Sequence, residues 1–181
     1  LLFEFVNFGK EWEHLKQHTE KDKENLNDKV NELKQRGRSL REIGTELGKI
    51  YGHTLFNSGF IHDIDIIIPV PLHPRKELVR GFNQSALIAS GMAEASGIPV
   101  DTVSLQRVAG FSTQTRKSRY ERWKNVEGTF HVTDPDSIKG KHILLVDDVI
   151  TTGSTMESCV TELLKQEGVR VSVAALAFSV L

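Results

Sequence analysis

The chain has 181 residues, of which 39% are hydrophobic and 26% are charged, as is usual for a globular protein of one domain. Its formal net charge of −1 excludes a uniformly basic nucleic-acid-binding protein, and its one cysteine, Cys159, excludes a disulfide framework or a cysteine-based zinc cluster within this chain. No apolar run approaches the roughly 20 residues that span a bilayer, so we expect no membrane insertion.

The first third of the chain is charged and has a helical pattern. Apolar residues recur at spacings of three and four between positions 12 and 51, which predicts amphipathic helices. Gly37 divides this pattern into two helices, and Ser39 is a candidate N-cap of the second. We therefore expect a single domain in which residues 1–59 form a helical cover, or hood, over a core of residues 60–181.

The middle of the chain begins with an apolar strand. Residues 66–68 are three isoleucines bounded by prolines, which predicts a central strand of a parallel sheet covered on both faces. Residues 84–96 have helical spacing. Residues 101–125 are polar and basic and are predicted to form loops, and residues 126–132 a short strand.

The last third alternates most clearly between strand and helix. Residues 143–146 and 169–178 are predicted strands, and residues 154–166 are a predicted helix that ends before Gly168. A strand, a helix and a strand with such short loops predict a right-handed parallel crossover. The predicted fold class is therefore α/β, with a doubly wound, mostly parallel sheet that binds ligands at the carboxyl ends of its strands.

The segment HILLVDDVITTGST, residues 142–155, carries the chemistry. An apolar strand ends in Asp147 and Asp148, and a short loop then opens into a helix. Unpaired N–H groups at a helix N-terminus attract a phosphate, and Gly153 permits its close approach. The two acids would repel that phosphate unless a group lay between them, and a ribose ring fits because its hydroxyls donate to carboxylates. We therefore predict a ribose-phosphate site, with Mg²⁺, at this strand end.

The segment also has other possible interpretations. Paired acids before a glycine turn could simply cap the following helix, but the apolar strand before them and the Gly-Ser-Thr sequence after them favour a ligand site. The chain contains neither G-x-x-x-x-G-K-[ST] nor G-x-G-x-x-G after a strand. A nucleoside triphosphatase of that kind and a dinucleotide dehydrogenase are therefore unsupported.

The sequence V-D-D-V-I-T-T-G-S-T resembles the signature with which type I phosphoribosyltransferases bind 5-phosphoribosyl-1-diphosphate (PRPP). Three further segments are similar to the ComF family, a phosphoribosyltransferase-like group linked to bacterial DNA uptake. They are PVPLHP at residues 69–74, RGFNQ at residues 80–84, and the polar stretch of residues 113–126. The resemblance implies a type I phosphoribosyltransferase fold that binds PRPP with Mg²⁺.

The resemblance also assigns roles to individual residues. It implies that Asp147 and Asp148 bind the ribose hydroxyls and hold Mg²⁺, directly or through PRPP. The phosphate and diphosphate contacts are assigned to Val149, Thr151, Thr152, Gly153, Ser154, Thr155, Pro71, Leu72, His73 and Arg80. For Arg80, bidentate contact with phosphate oxygens is the functional interpretation, and an ordinary surface cation is the alternative.

Residues 105–125 carry many cations, among them Arg116 and Lys117. Their position matches the mobile loop that closes over PRPP in the family, so both are candidate catalytic residues that stabilise the leaving diphosphate. A solvated basic loop is one alternative. Another is binding of single-stranded DNA, in which Tyr120 and Trp123 would stack on bases. The sequence does not distinguish these uses.

The predicted function is PRPP binding or phosphoribosyl transfer of the ComF type, in DNA uptake. The alternatives are a non-catalytic PRPP-sensing or single-stranded-DNA-binding adaptor, and a nucleobase salvage enzyme. Thr151 stands where 6-oxopurine transferases commonly have an aspartate base, which argues against that salvage activity. Cys159 is expected in the core rather than as a nucleophile. We expect a cytoplasmic location, and the resemblance implies a homodimer and partners in the DNA-uptake machinery.

Overall fold

The computed structural model describes residues 2–4, 19–108 and 129–178. Four strands form its main sheet: β1 (Leu2–Glu4), β2 (Ile66–Pro69), β5 (His142–Ile150) and β6 (Arg170–Phe178). Their order across the sheet is β1–β6–β5–β2. Strand β5 pairs in parallel with β2 and β6, and β1 runs antiparallel to β6. A separate antiparallel pair consists of β3 (Leu105–Arg107) and β4 (Phe130–Val132).

Helices cover the sheet: α1 (Thr19–Gln35), α2 (Leu40–Asn57), α3 (Pro74–Arg80), α4 (Gln84–Ser96), α5 (Pro135–Ile138) and α6 (Ser154–Leu163). The predicted cap of α2 is confirmed. Ser39 Oγ accepts the Glu42 N–H at 3.3 Å, and the Glu42 carboxylate accepts the Ser39 N–H at 2.8 Å. This reciprocal capping box explains why α2 begins where it does. In the described ranges, no helix has the length and apolarity needed to cross a membrane.

Apolar residues lie on both faces of the main sheet. Alternate residues of a strand point to opposite faces, so Ile66 and Ile68 belong to one core cluster and Ile67 to the other. Helix α6 covers the first face, and α4 with the end of α2 covers the second. This layered α/β arrangement confirms the predicted fold class and buries β5 almost completely up to Val146.

Helices α2 and α4 pack unusually closely. A Cβ added at Gly52 would lie 2.8 Å from the Cα of Met92, and one added at Gly48 or Gly91 would overlap backbone atoms of the opposite helix. Glycine at these positions is therefore a steric requirement of the contact. The close packing fixes α4 against the hood helix α2, and α4 begins beside the candidate site.

Several details differ from the sequence-based expectation. Among the described residues, strand β2 stands at the end of the hydrogen-bonded order, with only an isolated bridge from Ile67 to Val100 beyond it. The burial of β2 was predicted correctly. An apolar sequence indicates that both faces of a strand are covered, but it does not indicate where the strand lies in the sheet. Helix α3 has no counterpart among the predicted elements, β3 lies within residues 101–125, which are predicted to form loops, and α6 ends at Leu163, three residues earlier than predicted.

Candidate functional site

The two acids lie at the carboxyl end of β5, where the strand leaves the core. Asp147 and Asp148 are both half-buried. Oδ1 of Asp147 accepts hydrogen bonds from Ser85 Oγ at 2.8 Å and from the Asp148 N–H at 2.9 Å, and Oδ1 of Asp148 accepts the Val149 N–H at 2.7 Å. The carboxylates are thus held by the backbone and by the start of α4.

Asp147 is electrostatically strained. Burial raises its pKa to about 6, the hydrogen bond from Ser85 opposes that rise, and the negative charge of Asp148 adds to it. A ligand that donates hydroxyl groups or brings a cation would relieve this strain, because both favour the ionised carboxylate.

The loop after β5 forms an open start to α6. Gly153 has a φ of 78°, in the left-handed region that favours glycine, and occupies the N-cap without a side-chain hydrogen bond to the helix. The hydroxyl oxygens of Thr152 and Ser154 lie 3.0 Å apart beside it. The Ser154 N–H makes only a long hydrogen bond of 3.5 Å to Thr152 Oγ1, and no described capping side chain takes up the N–H groups that follow it, which suits them to an anion.

A pocket brings the acid and this open helix start together. It is lined by Asp147, Val149, Ile150, Thr151, Thr152, Gly153, Ser154, Thr155 and Met156. Of the residues predicted to contact phosphate or diphosphate, Val149 and residues 151–155 are all in this set. Asp148 is adjacent in the chain but does not line the pocket.

The loop predicted to hold diphosphate begins next to this pocket. Val70 follows β2, and its N–H donates to the Val146 carbonyl at 2.8 Å, so the chain leaves β2 beside Asp147. Asn83 Nδ2 donates to the Val70 carbonyl at 3.0 Å, and Asn83 Oδ1 accepts the Ser85 N–H at 3.1 Å. A continuous set of hydrogen bonds thus links this loop to Asp147 through Asn83 and Ser85.

The remaining predicted residues are not gathered into the pocket. Pro71, Leu72 and His73 are partly exposed in the loop, and the Nδ1 of His73 accepts the Arg75 N–H at 3.2 Å as the cap of α3. Arg80 is exposed at the end of α3. Arg116 and Lys117 lie outside the described residues, as do the aromatic residues proposed to stack on DNA.

Two contributing residues were missed from the sequence. Ser85 directly follows the RGFNQ segment and is buried on the first turn of α4, and no feature of the sequence marks it as the partner of Asp147. Arg41 belongs to the hood helix, donates to the Gly81 carbonyl and lies 5.2 Å from the ring centre of Phe82. Its role depends on a contact across 40 positions, which helical periodicity does not reveal.

The resemblance implies Mg²⁺, and the described site offers two carboxylates for this ion, those of Asp147 and Asp148. The described residues contain no group of three or more His, Cys, Asp and Glu side chains placed to hold a metal ion. Mg²⁺ is commonly held by one or two carboxylates together with substrate phosphates. Asp147 and Asp148 fit that arrangement, in which the ion arrives with a phosphorylated substrate.

Comparison with known proteins shows the family to which the chain belongs. The family described as the phosphoribosyl transferase domain matches residues 84–179. The DNA utilization protein YhgH of Salmonella typhi is 37% identical over 109 residues, which are 60% of this chain and 47% of that protein. Competence protein F of Haemophilus influenzae is 34% identical over 106 residues, 58% of this chain and 46% of that protein. The chain spans about half the length of the curated relatives it matches.

A solved structure shows the same fold. The glutamine PRPP amidotransferase from B. subtilis, complexed with ADP and GMP, superimposes with a TM-score of 0.52 at 24% sequence identity. The match covers 75% of this chain and 27% of that one. At this identity the likeness establishes the fold, and the chemistry must be argued from the residues.

Proposed function

Because the chain belongs to the phosphoribosyl transferase domain family, in its ComF-like branch, we propose that it binds Mg²⁺–PRPP at the carboxyl end of β5. The family and the fold confirm the resemblance drawn from the sequence. The ligand, the metal ion and any transfer reaction belong to the proposal.

One observation carries this proposal. A half-buried carboxylate and an uncapped helix start line the same pocket, through Asp147 and residues 151–155. A phosphate alone would be repelled by the acid, and a sugar alone would leave the helix N–H groups unused. A ribose 5-phosphate satisfies both, since its phosphate takes the N–H groups and its hydroxyls donate to the carboxylate.

The diphosphate would lie on the side of the loop that follows β2. Backbone N–H groups at residues 71–73 and the guanidinium of Arg80 are the candidate donors, and hydrogen bonds through Asn83 place the start of this loop beside the pocket. Mg²⁺, when bound, would neutralise negative charge on the diphosphate. Arg116 and Lys117 remain candidates for the same task.

A transferase reaction at this site would depend mainly on positioning. A nucleophile would form a bond to the anomeric carbon while the bond from that carbon to the diphosphate oxygen breaks, and the electron pair would leave with the diphosphate. The chain's contribution would be to orient the ribose through Asp147 and Asp148 and to hold the 5-phosphate. The acceptor nucleophile is left open by this proposal.

A second candidate function is a PRPP-binding adaptor without turnover. Asp147 is the one ionisable side chain among the described residues that line the pocket, and its proposed contacts with ribose would occupy it. The described site therefore offers no separate general base. The names of the relatives, DNA utilization protein and competence protein, favour a role in DNA uptake or use for either candidate.

The deciding experiment is calorimetric titration of Mg²⁺–PRPP into the wild-type protein and an Asp147→Asn/Asp148→Asn variant. We expect saturable binding by the wild type and at least about a tenfold loss in the variant, because two charged acceptors of ribose hydroxyls are neutralised. A matched control, Asp28→Asn/Asp136→Asn, removes two exposed acids and should bind as the wild type does.

No binding by a folded wild type, or equal binding by all three proteins, would contradict the proposed site. If binding is confirmed, release of diphosphate in the presence of candidate acceptors distinguishes the enzyme from the adaptor. A transferase consumes PRPP, whereas an adaptor returns it unchanged.

A further inference from the structure

Helix α3 stands out as a surface element. All seven of its residues are exposed, and none of its side chains is buried against the described parts of the chain. Leu78 and Val79 are 85% and 88% exposed, more than any other large hydrophobic residue described. Two adjacent aliphatic side chains left in water are unfavourable, so this face is suited to contact with a partner.

The composition of α3 indicates the chemistry of that partner. At about 100° per residue, Arg75 falls between Leu78 and Val79 around the helix, and Lys76 and Arg80 follow on the Val79 side. Glu77 lies on the opposite side. None of these three cations takes part in the ion pairs found among the described residues. The exposed arc therefore combines two aliphatic anchors with unpaired positive charge.

The helix is held at its ends rather than along its length. His73 caps its start, and Gly81 ends it with a φ of 80° while its carbonyl accepts a hydrogen bond from Arg41. A helix of only seven residues is marginal in water without packing. The two end contacts therefore present α3 as a preformed and open docking element.

We propose that α3 is a docking site for an acidic segment of another protein that carries aliphatic anchor residues. Its carboxylates would pair with Arg75 and Lys76, and its apolar side chains would cover Leu78 and Val79. A second copy of this chain fits less well, because a two-fold contact would bring two basic helices together. Single-stranded DNA fits less well because aliphatic side chains offer bases no aromatic face on which to stack.

The position of α3 gives this docking site a connection to the pocket. The helix lies within residues 70–83, whose two ends are joined by the hydrogen bond from Asn83 to the Val70 carbonyl. Asn83 also bonds to Ser85, which contacts Asp147. The docking proposal rests on the surface of α3 alone and does not require that the pocket bind PRPP.

The test uses the full chain and a fluorescein-labelled peptide of about 15 residues, with leucine at every third or fourth position and glutamate elsewhere. Fluorescence anisotropy should show saturable binding by the wild type. Leu78→Ser/Val79→Ser and Arg75→Glu/Lys76→Glu should each weaken binding by at least about tenfold. The matched control, Val103→Ser/Leu164→Ser, changes two exposed hydrophobic residues elsewhere and should bind as the wild type does.

Thermal unfolding of all four proteins should be nearly the same, because every substituted side chain is exposed. The proposal is overturned if the peptide does not bind, or binds the α3 variants and the wild type equally. It is also overturned if α3 is instead needed for self-association, for binding oligo-dT, or for binding vesicles of phosphatidylglycerol while the peptide is ignored. A lysine-for-glutamate peptide should not bind.

Discussion

Asp147 connects the interior of the protein to its pocket. Its backbone continues the buried strand β5, its carboxylate is bonded to Ser85 on α4, and its side chain lines the pocket beside Gly153. The surroundings that make it a suitable acceptor for ribose hydroxyls also oppose its charge. A single residue would thus couple stability to the proposed ligand binding.

Replacement of Asp147 by asparagine should stabilise the ligand-free protein at pH 7.5. Since burial raises the pKa of this acid to about 6 from a usual 3.8, the folded state loses stability as the pH rises through that interval. We expect a gain of roughly 1–2 kcal/mol above pH 7, allowing for partial exposure, that disappears as the pH falls towards 4. Thermal unfolding across pH 4–8 measures it.

Asp136→Asn is the control for this experiment, because Asp136 is exposed and lies outside the pocket. An Asp147→Asn variant that is less stable than the wild type at every pH would show that the carboxylate is a net stabilising group, contrary to this account.

At the residue scale, the loop that lines the pocket after β5 could be singled out from the sequence because its signal is local. Strand, acids, glycine and hydroxyls follow one another within residues 142–155. The hydrogen bond from Ser85 to Asp147 joins residues that are 62 positions apart, and nothing in either neighbourhood announces it. Contacts of that kind depend on packing, which fixes how α4 meets β5.

At the scale of elements, the contact between α2 and α4 shows how small residues set geometry. Gly48, Gly52 and Gly91 let the two helix backbones approach each other directly. Periodicity in the sequence predicted both helices, but it could not predict which helix would cover the buried face of α4. The same limit explains why three buried isoleucines suggested a central strand, whereas β2 is the last in the order.

Gly91→Ala should destabilise the protein strongly. Its Cβ would meet backbone atoms of Thr45, Gly48 and Lys49, which cannot move without separating the helices. We expect a loss of about 2–4 kcal/mol in the free energy of unfolding, measured in urea.

Gly44→Ala is the matched control in the same pair of helices. The added methyl group would meet only the Leu87 side chain, with its Cβ 3.1 Å away, and alanine favours a helix over glycine by about 1 kcal/mol. We therefore expect a small change. Equal losses in the two variants would contradict steric contact between backbones as the cause.

On the scale of the whole molecule, the two ends of the parallel sheet have different tasks. The carboxyl ends carry the pocket, and the amino ends carry a polar network around His142. The buried imidazole ring of His142 makes contacts of 3.0 Å with the Asp63 carboxylate and 2.9 Å with the Ser172 hydroxyl. The backbone N–H of His142 donates to the Asp65 carboxylate at 2.7 Å. Since Ser172 and His142 are 2% and 3% exposed, no substrate reaches them, and the network is structural.

His142→Ala should therefore lower stability and leave Mg²⁺–PRPP affinity unchanged. Loss of the ring removes two hydrogen bonds and leaves the buried Ser172 hydroxyl without its His142 partner. We expect this to lower the free energy of unfolding by roughly 2–4 kcal/mol. Urea unfolding and calorimetry on the same preparation measure the two effects, with the exposed His53→Ala as control. A weakened affinity in a fully folded variant would show that the two ends are coupled.

The hydrogen bonds from Asn83 to Val70 and from Ser85 to Asp147 also determine which fragments of the protein can keep the pocket intact. The region shared with the wider family begins at residue 84, which is the first residue of α4. A fragment cut at that boundary would keep the two acids and the loop after β5, but it would lose β2, the loop after β2, and α2, whose glycines contact α4. The edge of β5 that pairs with β2 would then be exposed to solvent. The smallest fragment of the protein that folds with an intact pocket must therefore include α2 and begin upstream of it.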